Sequence, residues 1–219
     1  PRLFNKVHTG IDCPVKRAVS PEVICRLMTD RKPLPGKLAF SRDLFVLLFL
    51  LRGMPFVDLA FLRRCDLQGN VITYHRRKTS RKLTVVVGKE AMEIIQKYMY
   101  AIPDSPYLFP IIQNPGKDEY GQYARMLRLQ NYRLTQVANI LGIRDRLSTY
   151  TARHTWATTA LRQNYNSSLI CDAMGHSSVK VTETYFQPYR DDEVNRMNSS
   201  LITYILSKKK RGTDKKIRS

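Results

Sequence analysis

The sequence predicts a mainly α-helical domain with a small antiparallel β-sheet, an α+β fold. Apolar residues recur at helical spacing over most of the span 20–206, and a single stretch, 71–87, is rich instead in β-branched residues and Tyr. Pro and Gly clusters separate these segments. A chain of 219 residues with 43% hydrophobic content is long enough to bury one sizeable core.

The elements follow in order. Ser20-Pro21-Glu22 places a capping Ser and a first-turn Pro before Val23, Ile24, Leu27 and Met28, which predicts a helix that Pro33, Pro35 and Gly36 end. A second helix is expected to open at Ser41; Leu44, Phe45, Leu47, Leu48 and Leu51 make it apolar nearly all round, hence central. A short helix over Phe56–Arg64 follows Gly53 and Pro55. Val71–Lys78 and Lys82–Val87, separated by Thr79, Ser80 and Arg81, form a hairpin. Helices are then predicted over about 89–100, 118–141, 149–164, 167–174, 178–186 and 191–206, with the longest loop around Pro103, Pro106, Pro110 and Pro115. Residues 1–19 read as an interdomain linker, 20–206 as the folded domain, and 207–219, with seven Lys or Arg against one Asp, as a disordered basic tail. A linker at the start implies a domain taken from a longer protein.

Charge is where the composition departs from average. Lys plus Arg number 37 against 18 Asp plus Glu, a formal net charge of +19, which points to a polyanionic partner. Cys13, Cys25, Cys65 and Cys171 show no paired spacing, so neither a zinc site nor a disulfide framework is indicated, and a reducing, cytoplasmic compartment is expected. The longest apolar run, Leu44–Leu51, is well under half of the roughly 20 residues that cross a bilayer, so no membrane partner is expected.

The informative residues lie late in the chain. Tyr150-Thr151-Ala152-Arg153-His154 sits on a helix, Gly175-His176-Ser177-Ser178 follows, and Tyr185 stands nine residues beyond His176. Taken singly, an Arg on an amphipathic helix is usually solvated or ion-paired, a His after Gly usually caps a helix, and a Tyr usually packs in a core. The ordered set has a chemical reading. A phenol can attack a phosphodiester once its proton is removed, and the charge gathering on the nonbridging oxygens needs guanidinium or imidazole donors.

These residues resemble the carboxy-terminal box of the tyrosine recombinase (phage integrase) family, which runs His-x-x-Arg-His, then Gly-His, then a Tyr nine residues on. Gly53-Met54-Pro55-Phe56-Val57-Asp58-Leu59 resembles the family's Gly-x-Arg-x-x-Glu/Asp-Leu box, and Arg77-Lys78-Thr79 its hairpin lysine. The resemblance implies the tyrosine recombinase catalytic-domain fold and a DNA-acting enzyme that needs no metal or other cofactor. Strand transfer would pass through a covalent 3′-phosphotyrosine, for integration, excision or inversion of a mobile element. It implies Tyr185 as nucleophile, Arg153 as the phosphate-gripping fork, His176 as a phosphate donor or as the group orienting Arg153, and Lys78 as general acid to the departing 5′-oxygen. Asp58 would brace the site, His154 support Arg153 or pack inside, and Trp156 belong to the core.

Two positions depart from the pattern. Pro55 stands where the family has its first arginine and offers no donor. Arg52 is the nearest cation and is expected to fill the gap, with Arg76 and Arg63 as alternatives. Tyr150 stands in place of the first histidine and is expected to supply its hydrogen bond through a phenol.

The partner this implies is double-stranded DNA. Arg63, Arg64, Arg76, Arg77, Arg81 and Lys82 near the hairpin, and Arg125, Arg128, Arg133, Arg144 and Arg146 on and after the long helix, are expected to meet its phosphates, because only Asp145 interrupts the positive charge in 125–146. Val194, Met197, Leu201, Ile202, Ile205 and Leu206 form an apolar stripe that in the family docks onto a neighbouring protomer, implying a homotetramer on DNA. Two other readings stay open: a catalytically silent DNA-binding relative, favoured by Pro55 and Tyr150, and an enzyme like a type IB topoisomerase. A DNA-clamping helical domain is expected upstream.

Overall fold

The structure is a computed structural model that describes residues 18–176, 196 and 198–203. Seven α-helices and one three-stranded sheet lie in this span: α1 (Pro21–Thr29), α2 (Gly36–Leu50), α3 (Phe56–Ala60), a 3₁₀ turn (Arg64–Asp66), β1 (Leu67–Gln68), β2 (Val71–His75), β3 (Lys82–Val86), α4 (Lys89–Tyr98), α5 (Glu119–Leu141), α6 (Thr149–Arg162) and α7 (Ser167–Met174). Residues 198–203 are also helical. The chain divides into two compact units, 1–186 and 187–219. The expected linker before residue 18, the helix over 178–186 and the basic tail lie outside the described residues.

Helix α2 is the centre of the first unit. Leu44, Phe45, Leu47 and Leu48 are fully buried, and the helix packs against α1, α4, α5 and α6. An apolar surface all round is what such a position requires. The helix begins at Gly36, five residues before Ser41: Pro35 takes the N-cap position, and its carbonyl accepts from the backbone N–H groups of Leu38 and Ala39 at 2.8 and 2.9 Å. The expected start at Ser41 is therefore corrected, because Pro and Gly at the first turn open a helix as readily as they close the preceding one. Ser20 occupies the N-cap of α1, yet its side chain makes no capping hydrogen bond.

The hairpin pairs Val71 with Val86 through His75 with Lys82, and β1 extends the antiparallel sheet in the order β1-β2-β3. Strand β1, two residues long, was below the reach of any periodicity. The turn is longer than the expected strands imply, since pairing stops at His75 instead of Lys78 and residues 76–81 close on themselves: Arg76 N–H donates to Arg81 O at 2.9 Å and Ser80 N–H to Arg76 O at 2.7 Å. Arg76 and Lys78 thus sit on a compact turn. No helix among the described residues is long and apolar enough to cross a membrane.

A second, smaller apolar cluster joins α6 to α7, with Ala157, Ile170 and Met174 buried and Trp156, Ala160 and Leu161 packed on them. Trp156 belongs to this cluster and also lines an open apolar groove with Phe49, Leu169 and Ala173.

Candidate active site

Five segments meet around a cleft of about 440 Å³. The start of α3 contributes Pro55 and Asp58, the hairpin turn Arg76 and Lys78, α5 Asn131, the first turns of α6 Tyr150 and Arg153, and the residue after the Gly175 cap of α7 His176. Helix α6 starts at this wall with a reciprocal cap: Ser148 Oγ accepts from Thr151 N–H at 3.2 Å, and Thr151 Oγ1 from Ser148 N–H at 3.2 Å. Asn131 Oδ1 accepts from Thr149 N–H at 2.9 Å, tying α5 to the same turn. Sequence reading gave Asn131 no role; an Asn inside a helical run carries no signal for a contact 18 residues away.

Arg153 is 2% exposed. Its Nη1 donates to Gly53 O, and its Nη2 to Met174 O at 2.9 Å and to His176 Nε2 at 2.6 Å. A guanidinium has no acceptor, so Nε2 must be the unprotonated ring nitrogen and His176 a neutral imidazole with its hydrogen on Nδ1. Burial, followed by the charges of Arg153, Arg76 and Lys78, pulls His176 down to about 3. In this arrangement His176 orients Arg153.

Two glycines let these groups approach. Gly53 has φ +65°, and a Cβ there would stand 3.1 Å from Arg153 Cα. Gly175 has φ +64° as the C-cap of α7, and a Cβ there would stand 2.8 Å from Leu83 Cδ1 on β3 and 3.2 Å from Arg76 Cδ. A left-handed backbone and a crowded side both exclude larger residues. The Gly before His176 is thus where the sheet closes onto α7.

Asp58 is the carboxylate of the cleft. Its Oδ1 accepts from Arg77 N–H at 2.9 Å, and its Oδ2 lies 3.9 Å from Arg76 Nε. Burial raises its pKa, opposed by the Arg77 N–H and the charges of Arg76 and Arg153. Asp58 therefore fastens the hairpin turn to α3, the bracing expected of it. Among the described residues that line the cleft, Arg76, Lys78 and Arg153 outnumber the one acid, Asp58, a balance that suits an anion. Among the described residues, no group of three or more His, Cys, Asp and Glu side chains could hold a metal ion.

The remaining candidates divide. Tyr150 is 46% exposed and lines the cleft, with its ring edge-on to His154 at 4.5 Å between centroids, so the buried His154 packs behind Tyr150. Arg52 points elsewhere: it has φ +60° after α2, donates from Nη1 to Thr84 O at 3.2 Å, and lines the apolar groove beside Phe49 and Trp156. Arg76 occupies the cleft in its stead. Arg77 lies over the Phe61 ring, 3.8 Å from its centroid, and Arg81 bonds Asp172 Oδ1 at 3.1 Å, latching the turn to α7. Arg64 donates to the carbonyls of Pro103 and Ile102, so it holds a loop. Lys82, Arg144 and Arg146 are exposed. Tyr185 lies outside the described residues.

The model of the phage integrase family matches residues 18–191. The chain belongs to the phage integrase family. Tyrosine recombinase XerC of Thermodesulfovibrio yellowstonii is 26% identical over 167 residues, covering 70% of this chain and 52% of that protein. The chain thus spans about half the length of this curated relative. Among solved structures, XerA recombinase superposes with a TM-score of 0.60 at 20% identity, covering 85% of this chain and 65% of that one. The Tn1549 transposon integrase gives 0.62 at 16% identity, covering 86% and 67%. The mostly helical fold with its three-stranded sheet is accordingly that of the catalytic domains of this phage integrase family.

Proposed function

We propose that residues 20–206 form the catalytic domain of a site-specific recombinase that cleaves and rejoins double-stranded DNA through a 3′-phosphotyrosine, moving a mobile element. The observation that carries this reading is the cleft: a buried Arg153 held by His176 and backbone carbonyls, with Lys78 at its rim and, among the described lining residues, one carboxylate to oppose them. The tight grip on Arg153 keeps its guanidinium oriented before any phosphate arrives, which is how fixed donors stabilise developing charge.

In the forward step the Tyr185 phenol loses its proton to water as its oxygen bonds phosphorus. The bond from phosphorus to the 5′-oxygen breaks, and the Lys78 ammonium delivers a proton to that oxygen. Arg153 carries charge on the nonbridging oxygens, Tyr150 adds a hydroxyl donor from the rim, and the step requires no metal. Rejoining reverses each transfer. The exposed Lys82, Arg144 and Arg146, with the basic tail 207–219, supply salt-sensitive phosphate contacts. XerH and the Tn1549 integrase, two of the fold neighbours, are structures with DNA.

The same reading includes a homotetramer. The groove lined by Phe49, Trp156, Leu169, Ile170 and Ala173 takes the terminal helix of a second copy, on which Leu201 and Ile202 are exposed.

A pool of nicked duplexes with a randomised centre tests the reading. Cleavage beside the nick releases a short strand, and the protein stays covalently attached. Adducts that survive denaturant in the unsubstituted protein and vanish in Tyr185→Phe are expected. Binding without any adduct would instead establish a silent DNA-binding relative, and supercoil relaxation without a preferred sequence a topoisomerase.

A further inference from the structure

Helix α5 turns one stripe towards the cleft, Tyr123, Leu127 and Asn131 at four-residue spacing. Tyr123 and Leu127 pack on the apolar core, whereas Asn131 is polar and half-buried. A backbone N–H can only donate, so the Asn131 atom that faces Thr149 N–H at 2.9 Å is Oδ1. The carboxamide is planar, so a fixed Oδ1 also fixes Nδ2 on the other side of Cγ. Among the described residues, none accepts a hydrogen bond from Nδ2. Capping α6 does not account for an amide here. A carboxylate would accept the same N–H, gain from the positive end of α6, and share the cleft wall with Arg76, Lys78 and Arg153. For stability alone Asp would serve better. What the amide adds is a pair of N–H donors without negative charge, and both properties favour an anion in the cleft.

We propose, resting on the recombinase reading, that Asn131 Nδ2 donates a hydrogen bond to a nonbridging oxygen of the scissile phosphodiester. Helix α5 thereby supplies a neutral donor to the phosphate that Arg153 grips. Through Oδ1 the same side chain holds the first turn of α6, which carries Tyr150, so one amide ties the phosphate to the turn that presents the phenol.

The alternative is that Asn131 only caps α6. Asn131→Asp separates the two, since it keeps the acceptor and removes the donors. Adduct formation on a duplex selected from the randomised pool is timed for the unsubstituted protein, Asn131→Asp and Asn131→Ala, with thermal melting of each. Asn131→Asp is expected to melt no lower than the unsubstituted protein yet to cleave at least about a hundredfold more slowly. Asn131→Ala is expected to melt lower and to cleave about 10–100-fold more slowly. A second arm separates contact from charge. In the Tyr185→Phe background, binding is measured to duplexes whose scissile phosphate is a methylphosphonate of either the Rp or the Sp configuration. Both isomers lack the negative charge, and each lacks a different nonbridging oxygen. The loss of affinity caused by Asn131→Ala is expected to persist with one isomer and to shrink below about twofold with the other, whose methyl group replaces the accepting oxygen. Asn131→Asp cleaving at the full rate, Asn131→Ala without loss, or equal losses on the two isomers would each overturn the proposal. If Asn131→Ala does not fold, Asn131→Asp takes its place in the binding arm; failure of both to fold makes Asn131 a structural cap and overturns the proposal too. If the unsubstituted protein forms no adduct with any duplex of the pool, the recombinase reading itself fails; an active unsubstituted protein whose Asn131→Asp variant keeps the full rate sinks the Asn131 assignment alone.

Discussion

Gly53→Ala tests whether the backbone around Arg153 is under the constraint the geometry describes. The substitution has two separable costs. An L-residue held at φ +65° costs about 1–2 kcal/mol for the left-handed backbone alone. The new Cβ also meets Arg153 Cα at 3.1 Å and Cγ at 3.3 Å, so α6 must give by a few tenths of an ångström, and Arg153 moves with it. Gly69→Ala is the internal control: φ there is +59°, but a Cβ meets nothing within 4 Å. For a domain of this size each kcal/mol lowers Tm by about 2–4 °C, so Gly69→Ala should lose about 2–8 °C and keep its cleavage rate. Gly53→Ala should lose more, and its cleavage rate should fall by about tenfold to a hundredfold, since small displacements near reacting groups cost rate steeply. Thermal melting and adduct kinetics on one selected duplex read both. Equal Tm losses in the two variants, with Gly53→Ala cleaving at the unsubstituted rate, would refute the reasoning.

Three further outcomes are expected. Because His176 is held neutral, with its pKa pulled from 6.5 to about 3, its contribution to stability is complete above 6.5 and is lost as pH falls from there towards 3. Tm should therefore decline between pH 6.5 and 5, and His176→Asn, which keeps an acceptor for Arg153, should flatten that decline; an unchanged slope would contradict the assignment. Lys78→Ala should slow cleavage on an ordinary duplex by about 10²–10⁴-fold and recover most of that loss when sulfur replaces the 5′-leaving oxygen, since a thiolate departs without a proton. Ile202→Glu should leave single-site binding intact but prevent the four-copy complex seen by sedimentation with DNA, because it places a charge on the face proposed to enter the neighbour's apolar groove.

Much of this was legible in the sequence where one local signal sufficed. Ser167–Met174 is a helix between Asn166 and Gly175, as capping chemistry dictates, and alternation with β-branched residues marked β2 and β3. Arg153 and His176 were identifiable as a pair from spacing, and they share a hydrogen bond. The cations were harder to place. Arg52 is closer in sequence to Pro55 than Arg76 is, but its left-handed backbone after α2 turns it towards β3. Arg76 reaches the cleft because Asp58 and Gly175, 18 and 99 residues away, meet at the hairpin turn, a convergence only the tertiary fold supplies. Arg77, Arg81 and Arg64 were grouped as phosphate contacts on charge alone, whereas Phe61, Asp172 and the carbonyls of Ile102 and Pro103 engage them. Composition gives the number of cations in a region and leaves open which of them the fold consumes.

The most direct measurement is the mass of the trapped adduct's tryptic peptides. Cleavage after Lys180 and Arg190 isolates a peptide with two tyrosines, Tyr185 and Tyr189. The account predicts a residual nucleotide joined through its 3′-phosphate to Tyr185, localised by fragmentation. A nucleotide on any other residue, or one attached through a 5′-phosphate, would contradict it.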